Sequence, residues 1–253
     1  MLSLILAALF ILGAVVASFV GVICERLYTG QNFLTGRSRC DACNAPLSPF
    51  ALIPILSYFF SQGRSLCCGA RISPRSPITE TLHGALFALS YLNLGMTPAL
   101  LFFLISLSLL LALVLYDLSH QILPSSLLAP FVITSAVTRF SVSPSIPEFS
   151  LSLIIAFFIA AFLALIHFAS RGRAMGFADA PLAFGLAVLV GPAAPSGLFF
   201  SFWIGAVIGI LLLAMRPRGS RMGREVPFAP YLAAGFLLAY FTQWNIAVIA
   251  VLV

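Results

Sequence analysis

The chain has 253 residues, of which 61% are hydrophobic and only 8% are charged. Because soluble domains have roughly 25% charged residues, this composition excludes an ordinary soluble globular protein and predicts a polytopic membrane protein. The formal net charge of +6 comes from thirteen arginines, without any lysine. In so apolar a chain the basic excess is expected to set the membrane orientation rather than to bind nucleic acid. Membrane lipid is therefore an expected partner and nucleic acid is not.

Eight apolar segments are candidate spans, since a helix needs about 20 apolar residues to cross a bilayer. They are residues 2–23, 78–95, 98–116, 122–138, 149–169, 180–195, 197–215 and 228–251. A seven-span count stays open if 180–215 is one bent unit. The first ten residues have no basic region, so the first segment is expected to be retained rather than cleaved as a signal peptide. The expected fold class is an all-α polytopic membrane helix bundle with about eight transmembrane helices and a small cytoplasmic cysteine-containing insertion.

The arginines predict which side of the membrane is cytoplasmic. With eight spans, twelve arginines fall on one face and only Arg139 falls on the other. By the positive-inside rule the arginine-rich face is cytoplasmic, and both termini lie outside. The expected organisation is a first transmembrane helix at 1–24, a cytoplasmic cysteine-rich segment at 25–77 and a membrane bundle at 78–253.

Two aspartates are the main candidates for catalysis. Asp117 ends the third candidate span and Asp179 opens the sixth, in a chain with only seven acidic residues. A carboxylate beside the membrane core is costly and is by default a candidate functional group. The predicted topology returns both residues to the cytoplasmic boundary, where two neighbouring carboxyl groups can share a proton and activate water. The alternative is that each carboxylate only caps a helix, and position alone leaves both interpretations open.

The cysteines are concentrated in one arginine-rich polar segment. The spacing Cys40-x-x-Cys43 is typical of half a zinc site, because two thiolates so spaced can bind one tetrahedral ion. The second half, Cys67 and Cys68, is irregular, since adjacent cysteines chelate awkwardly. A structural zinc site at these four residues and four reduced thiols without metal therefore both stay open. Cys24, at the membrane edge, is expected only to pack as a small apolar residue.

The remaining polar residues near the spans have weaker signals. His83, His120 and His167 each lack a partner at a metal-ligand spacing. His120 is three residues past Asp117 and is a candidate to influence its ionisation, although an interfacial polar side chain is the more common role. Glu80, at the start of the second candidate span, either benefits from the helix dipole or belongs to a polar lining.

Several motifs, in order along nearly the whole chain, resemble those of the bacterial type IV prepilin leader peptidases. Residues 117–124 are similar to the family's first active-site segment, in which an Asp precedes an apolar-Pro pair. Residues 176–179, Gly-Phe-Ala-Asp, resemble its second, Gly-x-Gly-Asp. The other similar segments are the first span at 13–27, the Arg-Ser-x-Cys-x-x-Cys stretch at 37–43, the Ile-Pro-x-x-Ser-Tyr stretch at 52–58, residues 69–72 and 77–80, and a Pro-Phe-Gly-Pro-like box at 227–230.

The sequence departs from the family pattern at five positions. Ala178 replaces the second glycine of Gly-x-Gly-Asp, Pro181 replaces a lysine, and Ser65 replaces the first cysteine of the second pair. Ser125 and Gly21 stand where an Asp and an Asn are common. Because glycine allows closer backbone approach and unusual dihedral angles, Ala178 is expected to narrow the substrate slot.

The resemblance implies a membrane aspartic endopeptidase with Asp117 and Asp179 as its catalytic pair. Its substrates would be type IV prepilins or pseudopilins, and proteolysis would need no cofactor. The implied location is the bacterial inner membrane, with a multi-pass chain and an active site facing the cytoplasm.

The family also methylates the new N-terminus with S-adenosylmethionine, and residues 25–77 are similar to the part linked to that step. Because the sequence has no glycine-rich nucleotide fingerprint, methylation stays open. Two other functions are weighed against proteolysis: an inactive relative acting as a membrane assembly partner, and a small transporter whose buried carboxylates relay protons.

Overall fold

The computed structural model describes residues 1–29, 38–40, 42–173, 175–215 and 227–244. Within these ranges the regular structure is helical, apart from two isolated β-bridges. The helices are α1 (Leu2–Thr29), α2 (Leu56–Phe60), α3 (Arg75–Leu94), α4 (Pro98–His120), α5 (Ser125–Val142), α6 (Ile146–Ser170), α7 (Asp179–Val190), α8 (Ala194–Ala214) and α9 (Ala229–Thr242), with 3-10 turns at Pro49–Leu52 and Gly191–Ala193.

Five helical stretches among the described residues are long and apolar enough to cross a membrane, and Ala229–Thr242 is a shorter apolar helix. They are Leu2–Leu27, Pro98–His120, Ser125–Val142, Ile146–Ser170 and Asp179–Leu212. The predicted all-α polytopic membrane bundle is therefore confirmed. Lipid imposes this fold class, since helices satisfy their own backbone hydrogen bonds.

The exact number of spans stays a prediction. The stretch Asp179–Leu212 contains both α7 and α8, which are separated by a turn at Gly191, whose φ is 72°. The twelve residues of α7 extend about 18 Å, less than the ~30 Å of a bilayer core. Residues 245–251 of the last predicted span, Arg37 and the arginines of 216–224 lie outside the described residues.

The chain folds into two compact units, Met1–Leu100 and Leu101–Val253. In the first unit, α1 and α3 cross at two glycines. A Cβ atom on Gly13 would lie 2.8 Å from Gly84 Cα, and one on Gly84 would lie 2.7 Å from the Phe10 carbonyl oxygen. Glycine is needed at both positions because the two backbones touch. The predicted three-part domain organisation stays a prediction.

In the second unit, α7 is the central helix. Ten of its twelve residues are buried. A Cβ atom on Gly185 would lie 2.7 Å from the Phe131 ring of α5, so these two helices pack at close range. At the far end of α7, the Arg139 guanidinium lies directly over Gly191. Burial along its whole length fixes α7, and with it the position of its first residue, Asp179.

Candidate active site and metal centre

Asp117 lies in the last turn of α4 and is buried, with 6% of its surface exposed. Its Oδ2 accepts a hydrogen bond of 3.2 Å from the backbone N–H of Ala229. Because Ala229 is the first residue of α9, the carboxylate faces a helix N-terminus, where unpaired N–H groups and the helix dipole attract negative charge. The box at 227–230 therefore lies against Asp117, a contact that sequence analysis missed because 112 residues separate the two partners.

Asp179 is the first residue of α7 and is also buried, with 7% of its surface exposed. A backbone hydrogen bond from Gly176 reaches its carboxylate. The carboxylates of Asp179 and Asp117 interact electrostatically with each other. The structure thus brings together the two acidic residues that the sequence singled out, and it contributes them from the end of one helix and the start of another. Two buried carboxyl groups whose charges repel each other favour a state in which only one of them is ionised.

His167, in the last turn of α6, is the histidine associated with Asp179. Its Nδ1 lies 2.8 Å from the carbonyl oxygen of Met175, and since a carbonyl only accepts, Nδ1 is the donor. The ring packs against Phe177, with 5.6 Å between centroids, and interacts electrostatically with Asp179. These contacts hold the turn that leads into α7. Sequence analysis missed this role because the partner lies across a turn rather than at helical spacing.

His120 packs against a residue of its own helix. Its ring lies 4.8 Å from that of Tyr116, between centroids, one turn earlier in α4. The predicted influence of His120 on Asp117 stays a prediction.

The two departures next to Asp179 are compatible with the local backbone. Ala178 has φ −67° and ψ −16°, which is ordinary helical backbone that any residue adopts. Pro181 is the third residue of α7, within the first turn, where its missing N–H leaves no helical hydrogen bond unmade. Neither position requires the residue that the family pattern prefers.

The first cysteine pair lies on a tight turn in the first unit. Arg39 pairs with Pro46 as an isolated bridge, and the N–H of Cys40 donates to the Ala45 carbonyl at 2.9 Å. The N–H of Asn44 donates back to the Cys40 carbonyl at 2.8 Å, and Asn44 has a positive φ of 58°. The turn therefore carries both Cys40 and Cys43.

A second turn repeats this pattern. Arg64 pairs with Arg71, and the N–H of Ser65 donates to the Ala70 carbonyl at 2.7 Å. The N–H of Gly69 donates back to the Ser65 carbonyl at 2.8 Å, and Gly69 has a φ of 71°. Each partner of the second turn lies twenty-five positions after its counterpart in the first. Ser65 is therefore the structural counterpart of the first cysteine, Cys40.

The four cysteines of these turns form one thiol cluster: Cys40, Cys43, Cys67 and Cys68. Their sulfur atoms all lie within 4.8 Å of one another. Cys40 Sγ is 3.7 Å from Cys68 Sγ, and Cys43 Sγ is 3.2 Å from Cys67 Sγ. Four zinc–sulfur bonds of about 2.3 Å in a tetrahedron place the sulfurs roughly 3.8 Å apart. The donor set fits zinc, and Cys67 supplies the thiol that Ser65 lacks.

Ser65 contributes to the cluster through its hydroxyl group. Its Oγ lies 3.3 Å from Cys40 Sγ and 3.0 Å from Cys67 Sγ. The hydrogen bond from Ser65, helped by neighbouring backbone N–H groups, lowers the pKa of the Cys40 thiol from 9.0 to about 6. The lowered pKa favours the thiolate of Cys40, which is the form that binds a metal ion.

Comparison with known proteins yields matches along most of the chain. Residues 11–94 match the family described as Bacterial Peptidase A24 N-terminal domain, and residues 103–210 match the Type IV leader peptidase family. The Prepilin leader peptidase/N-methyltransferase of Bacillus subtilis is 31% identical over 239 residues, which cover 93% of each chain. Proteins of the same name from Legionella pneumophila and Aeromonas salmonicida are 32% and 30% identical over 86% of this chain and 76% and 77% of theirs. No solved structure matches.

Proposed function

Because the chain belongs to the type IV leader peptidase family, we propose that it removes the leader peptide of type IV prepilins or pseudopilins, with Asp117 and Asp179 as the catalytic pair. The observation that carries this assignment is the electrostatic interaction between the two buried carboxylates. The inactive assembly partner and the proton-coupled transporter are not favoured by the family matches.

The chemistry follows from a shared proton. One carboxylate accepts a proton from water while the water oxygen attacks the scissile carbonyl carbon, and the other carboxyl group donates its proton to the carbonyl oxygen. The tetrahedral diol then collapses as the carbon–nitrogen bond breaks and the leaving nitrogen takes up a proton. Because Asp117 and Asp179 titrate as a pair, the two roles belong to the pair rather than to either residue.

Backbone groups hold both carboxylates ready for this step. Ala229 fixes Asp117, and Gly176 fixes Asp179. The Nδ1–H of His167 holds the turn before α7 through Met175. Groups fixed in advance lose little freedom during the reaction, which is a general source of catalytic rate.

The active site faces the cytoplasm of a bacterial inner-membrane protein. The positive-inside rule supports this orientation, since the arginine-rich loops and both aspartates fall on the same predicted side. A prepilin has a short basic leader in the cytoplasm, followed by an apolar helix in the bilayer. Its scissile bond then lies at the depth where α4 ends and α7 begins.

The first unit would provide a metal site and the second reaction, methylation of the new N-terminus. The thiol cluster would hold a structural zinc ion, which would stabilise the two turns by joining them. The relatives' names also contain N-methyltransferase, and residues 11–94 match the N-terminal domain of the family. In that step S-adenosylmethionine would supply a methyl group to the new N-terminal amine, which would lose a proton as the sulfur–methyl bond breaks and S-adenosylhomocysteine leaves.

Cleavage by the full-length protein, co-expressed with a prepilin, tests the assignment. Asp117→Asn and Asp179→Asn each lower the cleavage rate by roughly a thousandfold or more, because a neutral amide can neither take nor give the shared proton. The matched control is Glu148→Gln, which removes an exposed carboxylate from the first turn of α6 and leaves cleavage unchanged. Near-normal cleavage by either Asn variant, at equal protein level, would show that the pair is not catalytic.

A further inference from the structure

An exposed apolar patch lies in the otherwise polar insertion of the first unit. Phe50, Phe59 and Phe60 are 77%, 70% and 84% exposed. Single exposed apolar side chains are ordinary, but several close together in sequence mark an interaction surface. The patch comprises Phe50, Leu52, Ile53, Leu56, Phe59 and Phe60.

A buried carboxylate ties the patch to α3. Glu80 is only 4% exposed, and its carboxylate accepts hydrogen bonds from the N–H of Ile55 at 2.7 Å and from the Ser76 hydroxyl at 3.0 Å. Ile55 has φ 63° and ψ −56°, a strained γ-turn geometry for a β-branched residue. Such a turn persists only where its surroundings hold it. The middle of the patch is therefore fixed at the level of Glu80.

The depth of Glu80 follows from the crossing of α1 and α3. Gly84 touches Gly13, which lies near the middle of the membrane-crossing stretch Leu2–Leu27. At 1.5 Å per residue, Glu80 lies about 6 Å and Arg75 about 14 Å along α3 from the level of Gly84. With Gly13 at the middle of a bilayer core, which extends about 15 Å to either side, and α3 along its normal, Arg75 would lie at the core boundary and Glu80 inside it.

The side chains around the patch agree with this depth. Ile78 and Leu82, which flank Glu80 on α3, are 55% and 60% exposed, as expected of side chains that face lipid. In lipid a backbone N–H must have a partner, and Glu80 provides one for Ile55. The exposed surface of α3 around Glu80 is therefore apolar, as the patch is.

The exposed charged side chains near the patch in sequence are all positive, since the one carboxylate beside it, Glu80, is buried. Arg64, Arg71 and Arg75 are exposed, and no acidic residue occurs between positions 42 and 79. Basic side chains beside an apolar surface complement anionic lipid headgroups. The same charges repel the basic leader of a prepilin, so charge favours lipid over substrate as the occupant.

We propose that residues 49–60 insert into the membrane surface beside α3, with the patch among the outer acyl chains and the three arginines at anionic headgroups. The segment then acts as an interfacial amphipathic anchor, whose apolar face enters the boundary between headgroups and acyl chains. The anchor holds the insertion, and with it the thiol cluster, close to the bilayer. The proposal goes beyond leader cleavage and does not depend on it.

Fluorescence quenching in nanodiscs of anionic lipid tests the depth of the patch. The full-length chain carries Phe60→Trp together with Trp203→Phe and Trp244→Phe. Lipid brominated near the headgroup quenches most of the emission of the new tryptophan, and lipid brominated near the chain ends quenches less. The first reference is a form that keeps native Trp203, exposed at the middle of α8, as its single tryptophan, and the deep bromines quench it. The second is Ala42→Trp, exposed on the first cysteine turn, which is not quenched. Emission at position 60 that neither lipid quenches, while Trp203 responds, overturns the proposal.

Photo-crosslinking identifies the occupant without relying on a tryptophan variant. Benzoylphenylalanine replaces Phe59, a substitution close to the native side chain, and the same probe at Ile210 is the lipid-facing reference. An adduct with the mass of a lipid at position 59, insensitive to added prepilin, supports the anchor. An adduct with prepilin or with a second copy of the chain overturns it, and so does no adduct at all when the reference position labels lipid.

Discussion

The carboxylate pair of the second unit and the thiol cluster of the first are built in opposite ways. Asp117 and Asp179 come from helix ends far apart in sequence, are buried, and receive hydrogen bonds from backbone N–H groups. The thiol cluster comes from two neighbouring turns, is largely exposed, and is bridged by the hydroxyl of Ser65. The pair therefore depends on the packing of several helices, whereas the cluster depends on local turns and on a metal that joins them. The two sites are expected to respond differently to substitution.

The largest expected effect tests whether the carboxylates act as one unit. Asp117→Asn combined with Asp179→Asn should be no slower than either single variant, all three losing roughly a thousandfold or more, because removing one member of a unit already removes its function. Single-turnover cleavage of purified prepilin measures this. Losses that multiply in the double variant would instead indicate two independent roles.

Loss of the metal should impair methyl transfer and leave leader cleavage nearly unchanged. Cys43→Ser is expected to release the zinc, about one ion per chain in the wild type, and to abolish methyl transfer, while leader cleavage stays within about threefold. Metal analysis, methyl incorporation and cleavage are measured on the same preparations. The matched control is Cys24→Ala, a buried cysteine outside the cluster, which should keep the metal. Cleavage that falls in step with the metal content would contradict the separation.

A substitution at Ser65 tests whether its hydroxyl group strengthens metal binding by the thiol cluster, since Ser65 supplies no thiol itself. Ser65→Ala is expected to weaken zinc binding about 10- to 100-fold, as loss of a hydrogen bond to a ligand commonly does. The pKa of Cys40 should rise from about 6 back towards 9.0. Protons then compete with the metal at higher pH, so the pH at which half the zinc is bound moves upward in a chelator titration. An unchanged midpoint would show that Ser65 does not act on the thiolate.

Substitutions at His167 test whether its hydrogen bond to Met175 positions Asp179. Its Nδ1–H is the group that bonds to Met175, and the amide of Asn can reproduce that donor position whereas the amide of Gln cannot. His167→Gln should lower kcat for cleavage about fivefold with little change in KM, since one hydrogen bond is worth about 1 kcal/mol. His167→Asn should recover most of the rate. Equal losses in both variants would mean that the bond to Met175 does not position Asp179.

The smallest effect is expected at Ala178. Its backbone is ordinary helix, so Ala178→Gly, which restores the family pattern, should change the rate of cleavage less than about threefold and cost at most about 1 kcal/mol of stability. Kinetics and thermal unfolding of the two forms measure this. A large gain in rate would show that the methyl group obstructs the substrate.

The features that sequence predicted are local ones. Each of the eight apolar segments overlaps a helix, because a long apolar run in lipid has to be helical. The spacing of Cys40 and Cys43 predicted a thiol site, and the costly positions of Asp117 and Asp179 marked them as candidates for a shared site. Each of these signals can be read from a short stretch of sequence around the residues concerned.

The contacts that sequence did not predict join distant residues. The bond from Ala229 to Asp117 spans 112 residues. The contact between the Ser65 hydroxyl and Cys40 Sγ joins two turns that are 25 residues apart. The strained turn at Ile55 depends on Glu80, which lies in the following helix. Each depends on how helices or turns pack, which a single sequence does not specify.

The bond between Ala229 and Asp117 has a consequence for how the protein is made. A ribosome that has synthesised α7 has already delivered both acidic residues to the bilayer, but the amide that fixes Asp117 belongs to α9 and emerges later. The nascent chain therefore lacks this hydrogen bond to Asp117 until α9 has been synthesised.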